Sequence, residues 1–212
     1  MSSRNVVASH EDHRSETERP TAAPPAGPHT PSGAGASIRA RHVLILGGIT
    51  ALGPLATDMY LPALPAVQAD LGAGLSAVQL TLTAEIFGLS LGQLIAGPLS
   101  DRRGRRLPLL VGLAGFVLAS LWCAGSQQAP ALAVLRLLQG IGAAAGIVTA
   151  LGIARDLYGG PAFARFLSLS MTINFLAPAV APVLGGLLLG HTTWRGIFVA
   201  LGIIGIALFA AA

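Results

Sequence analysis

Six long apolar runs follow one another along this sequence and restrict the chain to very few folds. They occupy residues 42–65, 76–98, 107–126, 130–152, 165–190 and 194–212. Each run is close to the roughly 20 residues that a helix needs to cross about 30 Å of hydrocarbon. Only helices and closed barrels satisfy their backbone in lipid, and continuous apolar runs favour helices. We therefore predict an all-α membrane protein with six transmembrane helices joined by short connections.

The composition supports a lipid-embedded chain. Only 10% of the 212 residues are charged, whereas a soluble domain needs about a quarter. All 13 basic residues are arginines, and they flank apolar runs instead of forming a basic face, so we expect no nucleic-acid partner. A single cysteine, Cys123, excludes an internal disulfide, and no His or Cys pair has the spacing of metal ligands. We expect neither a metal nor a cofactor.

The first 40 residues differ from the rest. They contain the stretch TAAPPAGPHTPSGAGAS and show no apolar periodicity. Such a segment cannot bury enough apolar surface to offset its chain entropy, so we predict a disordered tail at residues 1–40. It has no apolar core typical of a cleavable signal peptide. Residues 41–212 are then expected to form one six-helix domain.

The arginines predict the orientation of the spans. Eight fall on one side of the predicted membrane, namely Arg39, Arg41, Arg102, Arg103, Arg105, Arg106, Arg155 and Arg165. On the other side only Arg195 follows a span. Because cytoplasmic loops are enriched in basic residues, we predict a multi-pass protein of the inner (plasma) membrane with a cytoplasmic N-terminus. Trp122 and Trp194 lie near span ends, where tryptophan is typical of an interfacial anchor.

The most charged stretch, GPLSDRRGRRLPLL at residues 97–110, joins the second and third spans. The pattern G-x-L-x-D-R-x-G-R-R-x-x-L is carried by Gly97, Leu99, Asp101, Arg102, Gly104, Arg105, Arg106 and Leu109. We expect Gly97 to let the second span approach a neighbour closely. Gly104 permits a tight turn, and Asp101 can pair with an arginine or face a helix N-terminus. A loop that only fixed the orientation would need neither the aspartate nor the glycines.

This pattern resembles the signature between helices two and three of the major facilitator superfamily. The fourth span contains LAVLRLLQGIGAAAG, in which Arg136, Gln139 and Gly140 are similar to the superfamily's helix-four motif. The stretch ATDMYLPALPAV at residues 56–67 resembles helix one of the bicyclomycin-resistance type of drug/proton antiporters.

The fifth span carries a further resemblance. Its stretch APAVAPVLGG, residues 177–186, is similar to the helix-five antiporter motif of the same superfamily. The positions that match are Pro178, Pro182, Gly185 and Gly186, whereas Ala177 and Ala181 stand where glycines are usual.

The resemblance implies a fold and a function. The superfamily has twelve helices in two halves, each built from 3+3 inverted repeats, so this chain is expected to be the N-terminal half, as a fragment or a truncated product. The implied function is proton-coupled multidrug efflux, with small molecules, protons, lipid and a missing C-terminal half or second copy as partners. Export of a metabolite, and a half that transports nothing without a partner, remain alternatives. We expect no enzyme, because the only polar cluster at a membrane face, residues 97–110, contains no histidine and no cysteine.

Three ionisable residues fall deep inside predicted spans, away from the span ends: Asp58, Glu85 and Arg136. Each costs at least ~2.5 kcal/mol at the bilayer centre, which makes it a functional candidate. Asp58 lies about 24 Å along the first span and Arg136 about 9 Å along the fourth, counted from opposite sides at 1.5 Å per residue. These matched depths predict a proton-linked pair, since Asp58 can titrate whereas Arg136 stays charged.

Each of these residues also has a structural interpretation. Arg136 could clamp backbone carbonyls, and Asp58 could make a helix-packing hydrogen bond. Glu85, nearer the midplane, is either a second proton site or a protonated side chain at an interface protected from lipid.

Overall fold

The computed structural model describes residues 40–212, except for the side chain of Arg103, and these residues are almost entirely helical. The helices are α1 (Ala40–Tyr60), α2 (Leu64–Leu71), α3 (Leu75–Arg103), α4 (Arg106–Ala124), α5 (Ala129–Leu157), α6 (Gly160–His191) and α7 (Trp194–Ala211). Within this part of the chain, six segments are long and apolar enough to cross a membrane: α1 with α2, and each of α3 to α7. The prediction of six spans is confirmed. The predicted tail lies outside the described residues, apart from Ala40.

Several helices are longer than the apolar runs that predicted them. The second run ends at residue 98, but α3 continues to Arg103. The fifth run begins at residue 165, but α6 begins at Gly160. An apolar run is limited by the thickness of the hydrocarbon, whereas the backbone hydrogen bonds of a helix continue into the headgroup region.

The first span is interrupted at the sequence YLPALP. A short 3-10 turn, Leu61–Ala63, separates α1 from α2. Pro62 has no backbone N–H to donate and its ring crowds the carbonyl of the residue four positions earlier, which favours a break in the helix, although α6 continues through Pro178 and Pro182. Gly72 then ends α2 with φ of +57°, a left-handed conformation that favours glycine. As a result, α2 is a separate eight-residue helix at the end of the span.

The packing of the helices repeats after three spans. The first three-span repeat comprises α1 to α4, and the second comprises α5, α6 and α7. The first span of each repeat packs on the second span of the other repeat: α1 contacts α6, and α5 contacts α3. The third spans, α4 and α7, pack on each other. This exchange is the pattern of 3+3 inverted repeats, and it agrees with one half of a twelve-helix transporter fold.

Glycines bring α3 and α5 into backbone contact. A Cβ atom at Gly140 of α5 would overlap the carbonyl oxygen of Glu85 and lie 2.9 Å from the backbone nitrogen of Leu89. A Cβ atom at Gly88 of α3 would overlap the carbonyl oxygen of Leu137. Small residues that let two backbones meet are the usual means of helix association in lipid, where apolar side chains gain little from contact with each other.

Two spans leave most of their apolar surface uncovered. The exposed large side chains of α3 and α6 include Ile86, Phe87, Leu94, Phe175, Val183 and Leu187. Because α3 and α6 are the second spans of the two repeats, the uncovered faces are equivalent surfaces. Their chemistry suits contact with lipid or with another apolar protein surface.

We predict that Gly140→Ala destabilises the bundle, because the added methyl group must separate α3 from α5. Overpacking of this kind costs about 1–3 kcal/mol. Gly115→Ala in α4 is the matched control, since nothing lies within 4 Å of a Cβ atom at that position. The measurement is thermal loss of folded, monodisperse protein in detergent. Equal melting temperatures for the two variants would contradict the backbone contact at Gly140.

Candidate functional site

Arg136 of α5 lies at the centre of a buried polar network. Its side chain is fully inaccessible, as is that of Glu85 on α3, with which its Nη2 atom forms an ion pair. Its Nη1 atom donates to the Gln139 Oε1 atom at 2.8 Å and to the carbonyl oxygen of Ala56 at 3.3 Å. The guanidinium therefore joins α1, α3 and α5.

Aromatic rings and a hydroxyl group complete the surroundings of this cation. The guanidinium carbon of Arg136 lies 4.7 Å from the centre of the Tyr60 ring and 5.5 Å from that of Phe198 in α7. Stacking on aromatic faces stabilises a desolvated guanidinium. Gln139 also donates from its Nε2 atom to the hydroxyl of Ser120 in α4 at 2.8 Å, so the network reaches a fourth and a fifth span.

Asp58 is not part of this network, which corrects the predicted pairing with Arg136. Its side chain is half-buried and makes no hydrogen bond or ion pair within residues 40–212. The reason is rotation about the helix axis: Ala56 faces Arg136, and a residue two positions further points about 200° away around the helix. Depth along a span is the same for every face, so matched depth did not identify the partner.

Glu85 takes the place that was predicted for Asp58. Its backbone carbonyl meets Gly140 of α5, one turn beyond Arg136. The ion pair leaves one oxygen of Glu85, Oε1, and the Arg136 Nε atom without a hydrogen-bond partner in the described part of the chain. Buried polar atoms are rarely left without a partner.

A second cluster surrounds Arg105, between α3 and α4. Its Nη1 atom donates to the Asp101 carboxylate at 2.6 Å and to the Ser100 hydroxyl at 3.0 Å, and its Nε atom donates to the Asp156 carboxylate of α5 at 3.0 Å. We call these four residues the Arg105 cluster. The hydrogen bond that Arg105 donates to Asp156, and then the one that it donates to Asp101, raise the pKa of its guanidinium above the ordinary value. The guanidinium therefore stays charged at every physiological pH.

Glycines shape the surroundings of Arg105. Gly104 adopts φ of +82°, which a residue with a Cβ atom rarely adopts. A Cβ atom at Gly152 of α5 would lie 2.8 Å from the Arg105 Nη1 atom, so the guanidinium packs directly on this glycine. Arg102 and Arg106 are exposed. The sequence motif does not include Asp156, which follows Arg155 in the last turn of α5.

Gly97 does not make the close helix contact that was expected. No atom of the described residues lies within 4 Å of a Cβ atom at this position. Its side of α3 faces away from the six-span unit, so the space beside it is available to something outside this unit.

The motif residues of α6 fall on different faces of one continuous helix. Gly185 packs on the backbone of Met59 in α1, whereas the Cβ position of Gly186 is open. Pro178 is exposed and Pro182 is half-buried. Ala177 and Ala181 are buried on the same side as Gly185, since positions separated by four residues share a helix face.

Comparison with known proteins agrees with this architecture. Residues 46–212 match the family model of the Major Facilitator Superfamily.

The chain belongs to the Major Facilitator Superfamily.

Three relatives share substantial identity with this superfamily member. It is 47% identical over 182 residues to the uncharacterized MFS-type transporter YdgK of Bacillus subtilis, which covers 85% of this chain and 44% of YdgK. It is 41% identical over 171 residues to a chloramphenicol resistance protein of Pseudomonas aeruginosa, covering 80% and 41% of the two chains. It is 34% identical over 170 residues to the multidrug resistance protein MdtL of Shewanella oneidensis, covering 80% and 43%.

The chain thus spans less than half the length of the curated relatives that it matches. Together with the six apolar helices, the family indicates a multi-pass membrane protein.

The ion pair between Glu85 and Arg136 predicts an unusual response to substitution. Glu85→Ala leaves a buried guanidinium uncompensated, and we expect it to lower the stability by about 3–5 kcal/mol. Adding Arg136→Leu removes the unpaired charge, so the double variant should be more stable than Glu85→Ala alone. Thermal unfolding in detergent measures both. If the double variant is as unstable as the sum of the two single variants, the pair is not the stabilising element.

Proposed function

We propose that this six-span unit is the N-terminal half of a proton-coupled exporter of small-molecule drugs. The second six-span unit is the remainder of a longer protein or a second copy. The observation that carries the proposal is that the two membrane carboxylates have different surroundings. Glu85 neutralises a buried arginine, whereas Asp58 is half-buried and free of partners among residues 40–212.

These surroundings assign the two carboxylates different roles. Protonation of Glu85 would leave Arg136 without its counter-charge in a dry interior, at a cost of several kcal/mol. Protonation of Asp58 removes no ion pair and reduces the cost of its own charge in the membrane. Asp58 is therefore our candidate for the proton-carrying group, and Glu85 and Arg136 form a fixed dipole beside it.

Asp58 can couple protons to drug export by competition. A cationic drug near Asp58 favours the charged carboxylate and promotes release of the proton, and protonation favours release of the drug. Because this coupling is reciprocal, a proton gradient can drive the drug outward. The relatives named for chloramphenicol and multidrug resistance support a drug as the substrate, and the helix-one resemblance favours the bicyclomycin-resistance type. Export of a metabolite would use the same carboxylate.

The Arg105 cluster is our candidate for a conformational latch on the cytoplasmic side. It ties the end of α3 to the end of α5 through Asp101 and Asp156. Exposed ion pairs of this kind are worth about 0.2–1 kcal/mol each, which is small enough to break and re-form during a cycle. The open position at Gly97 and the exposed Arg102 and Arg106 form a surface. The second six-span unit contacts this surface in only one conformation of the transporter. By the arginine rule this side is cytoplasmic, and the N-terminus lies on the cytoplasmic side of the inner membrane.

Asp58→Asn in the assembled transporter should abolish drug efflux driven by a pH gradient, because the amide cannot carry a proton. Asp58→Glu is the matched control and should retain part of the efflux, since it keeps a titratable group. The measurement is pH-gradient-dependent efflux of a fluorescent cationic drug, with expression and membrane insertion verified for each variant. Undiminished efflux by Asp58→Asn would exclude Asp58 as the coupling group.

A second expectation concerns the half-buried Asp58 when one six-span unit is present alone. Substrate in this superfamily is expected to bind between two six-helix units, and one unit alone exposes the face that carries Asp58 to lipid. We expect cells that produce residues 1–212 alone to show no efflux, and co-expression with a matching C-terminal half to restore it. Robust proton-dependent efflux from the chain alone would instead indicate that a second copy supplies the other unit.

A further inference from the structure

A third charged cluster lies at the end of the bundle opposite the Arg105 cluster. The Arg195 Nη1 atom donates to the Asp70 Oδ2 atom at 2.6 Å, and its Nη2 atom donates to the carbonyl oxygen of Ser126 at 3.0 Å. The indole N–H of Trp194 donates to the same Asp70 oxygen at 3.1 Å, and the Arg195 guanidinium lies 4.3 Å from the Trp194 ring centre. We call this group the Arg195 cluster. Trp194 is buried rather than interfacial, unlike the exposed Trp122.

The Arg195 cluster occupies the position of the Arg105 cluster in the other repeat. Asp70 is the penultimate residue of α2, at the end of the first span of the first repeat. Asp156 is the penultimate residue of α5, which is the first span of the second repeat. Arg105 directly precedes α4 and Arg195 is the second residue of α7, so each arginine lies at the start of the third span of its repeat. The two ion pairs, at 3.0 and 2.6 Å, are equivalent contacts at opposite ends of the bundle.

The segment that the Arg195 cluster secures also has apolar contacts with the bundle. Of the eight residues of α2, Val67 is fully buried, and Leu64 and Leu71 are partly buried against the core. The 3-10 turn at Leu61–Ala63 separates α2 from α1, and Asp58 lies just before that turn. The ion pair of Asp70, with the indole N–H, is therefore the main polar attachment of α2 within the described residues.

We infer that Asp70 and Arg195 are positioning residues that close the outer end of the first span over Asp58. When the cluster is formed, α2 is fixed against the start of α7. When it opens, α2 turns at the 3-10 segment and admits water from the outer side. The side chains of Asp70 and Arg195 are 45% and 30% exposed, so the pair is weak enough to open during a cycle.

This inference rests on the proposed function, because a gate over Asp58 matters only if Asp58 carries the proton. Its test measures access alone and needs no transported drug. A cysteine placed at Leu61, which is 42% exposed at the start of the turn, reports access in intact cells through its rate of labelling by a membrane-impermeant maleimide. The native Cys123 is fully buried and serves as an internal reporter of unfolding in the chain without the Leu61→Cys change.

We expect Asp70→Asn and Arg195→Gln each to raise the labelling rate of the Leu61→Cys chain about threefold, the size of effect expected for one exposed ion pair. The two changes together should raise it no further than the larger single effect, because they break the same interaction. The exchange Asp70→Arg with Arg195→Asp should return the rate toward that of the parent chain. Asp156→Asn, at the equivalent position of the cytoplasmic cluster, is the matched control and should not raise it.

An unchanged labelling rate in both single variants would overturn the inference, as would additive effects of the two. A parallel rise in labelling of Cys123 would assign the change to general unfolding and would overturn it as well. The proposed function is judged separately. If the protein exports drug but labelling does not change, only the gate inference is rejected. If it exports nothing but shows the expected labelling, the gate inference stands and the proposed function is rejected.

Discussion

The ion pair between Arg136 and Glu85 is the constraint on which the rest of the bundle depends. A guanidinium stays charged at any accessible pH, and a charge in a dry interior is tolerated only when its surroundings compensate it on every side. Here compensation comes from a carboxylate on α3, an amide on α5 and a backbone carbonyl on α1. Two aromatic rings, one of them on α7, cover what remains. Displacing any one of these helices leaves part of a cation uncompensated, so the network fixes their relative positions more strictly than apolar contacts do.

Gly140 and Gln139 support the same buried polar network as Arg136. The missing side chain at Gly140 lets the backbone of α5 touch the carbonyl of Glu85, and that approach brings the Glu85 carboxylate within reach of the arginine one turn earlier. Gln139 accepts from the guanidinium and donates to Ser120, which extends the network to α4. The three residues of the helix-four motif thus have one physical explanation: a close helix crossing and a compensated buried charge each require the other.

The sequence was sufficient for some of these features and insufficient for others, for physical reasons. The number of spans follows from run length, because hydrocarbon thickness sets a minimum that few other structures meet. The tight turn at Gly104 follows from a motif within a few residues. The partner of Arg136 could not be predicted from depth, because the face that a residue presents depends on how two helices rotate against each other. Trp194 shows the same limit. Its position near a span end suggested the interface, but a contact with Asp70, 124 residues away in the chain, buries it.

The distribution of charge along the bundle suits a unit whose helices move together. One fully buried ion pair lies in the middle of the spans, and exposed ion pairs lie at each end. Breaking the central pair costs several kcal/mol, whereas each exposed pair costs about 0.2–1 kcal/mol. Thermal motion therefore opens the ends far more often than the centre. Inverted repeats place equivalent pairs at opposite ends, and the pairs at both ends are formed together in this structure. The weak pairs at the ends can therefore rearrange while the buried pair at the centre keeps α3 and α5 together.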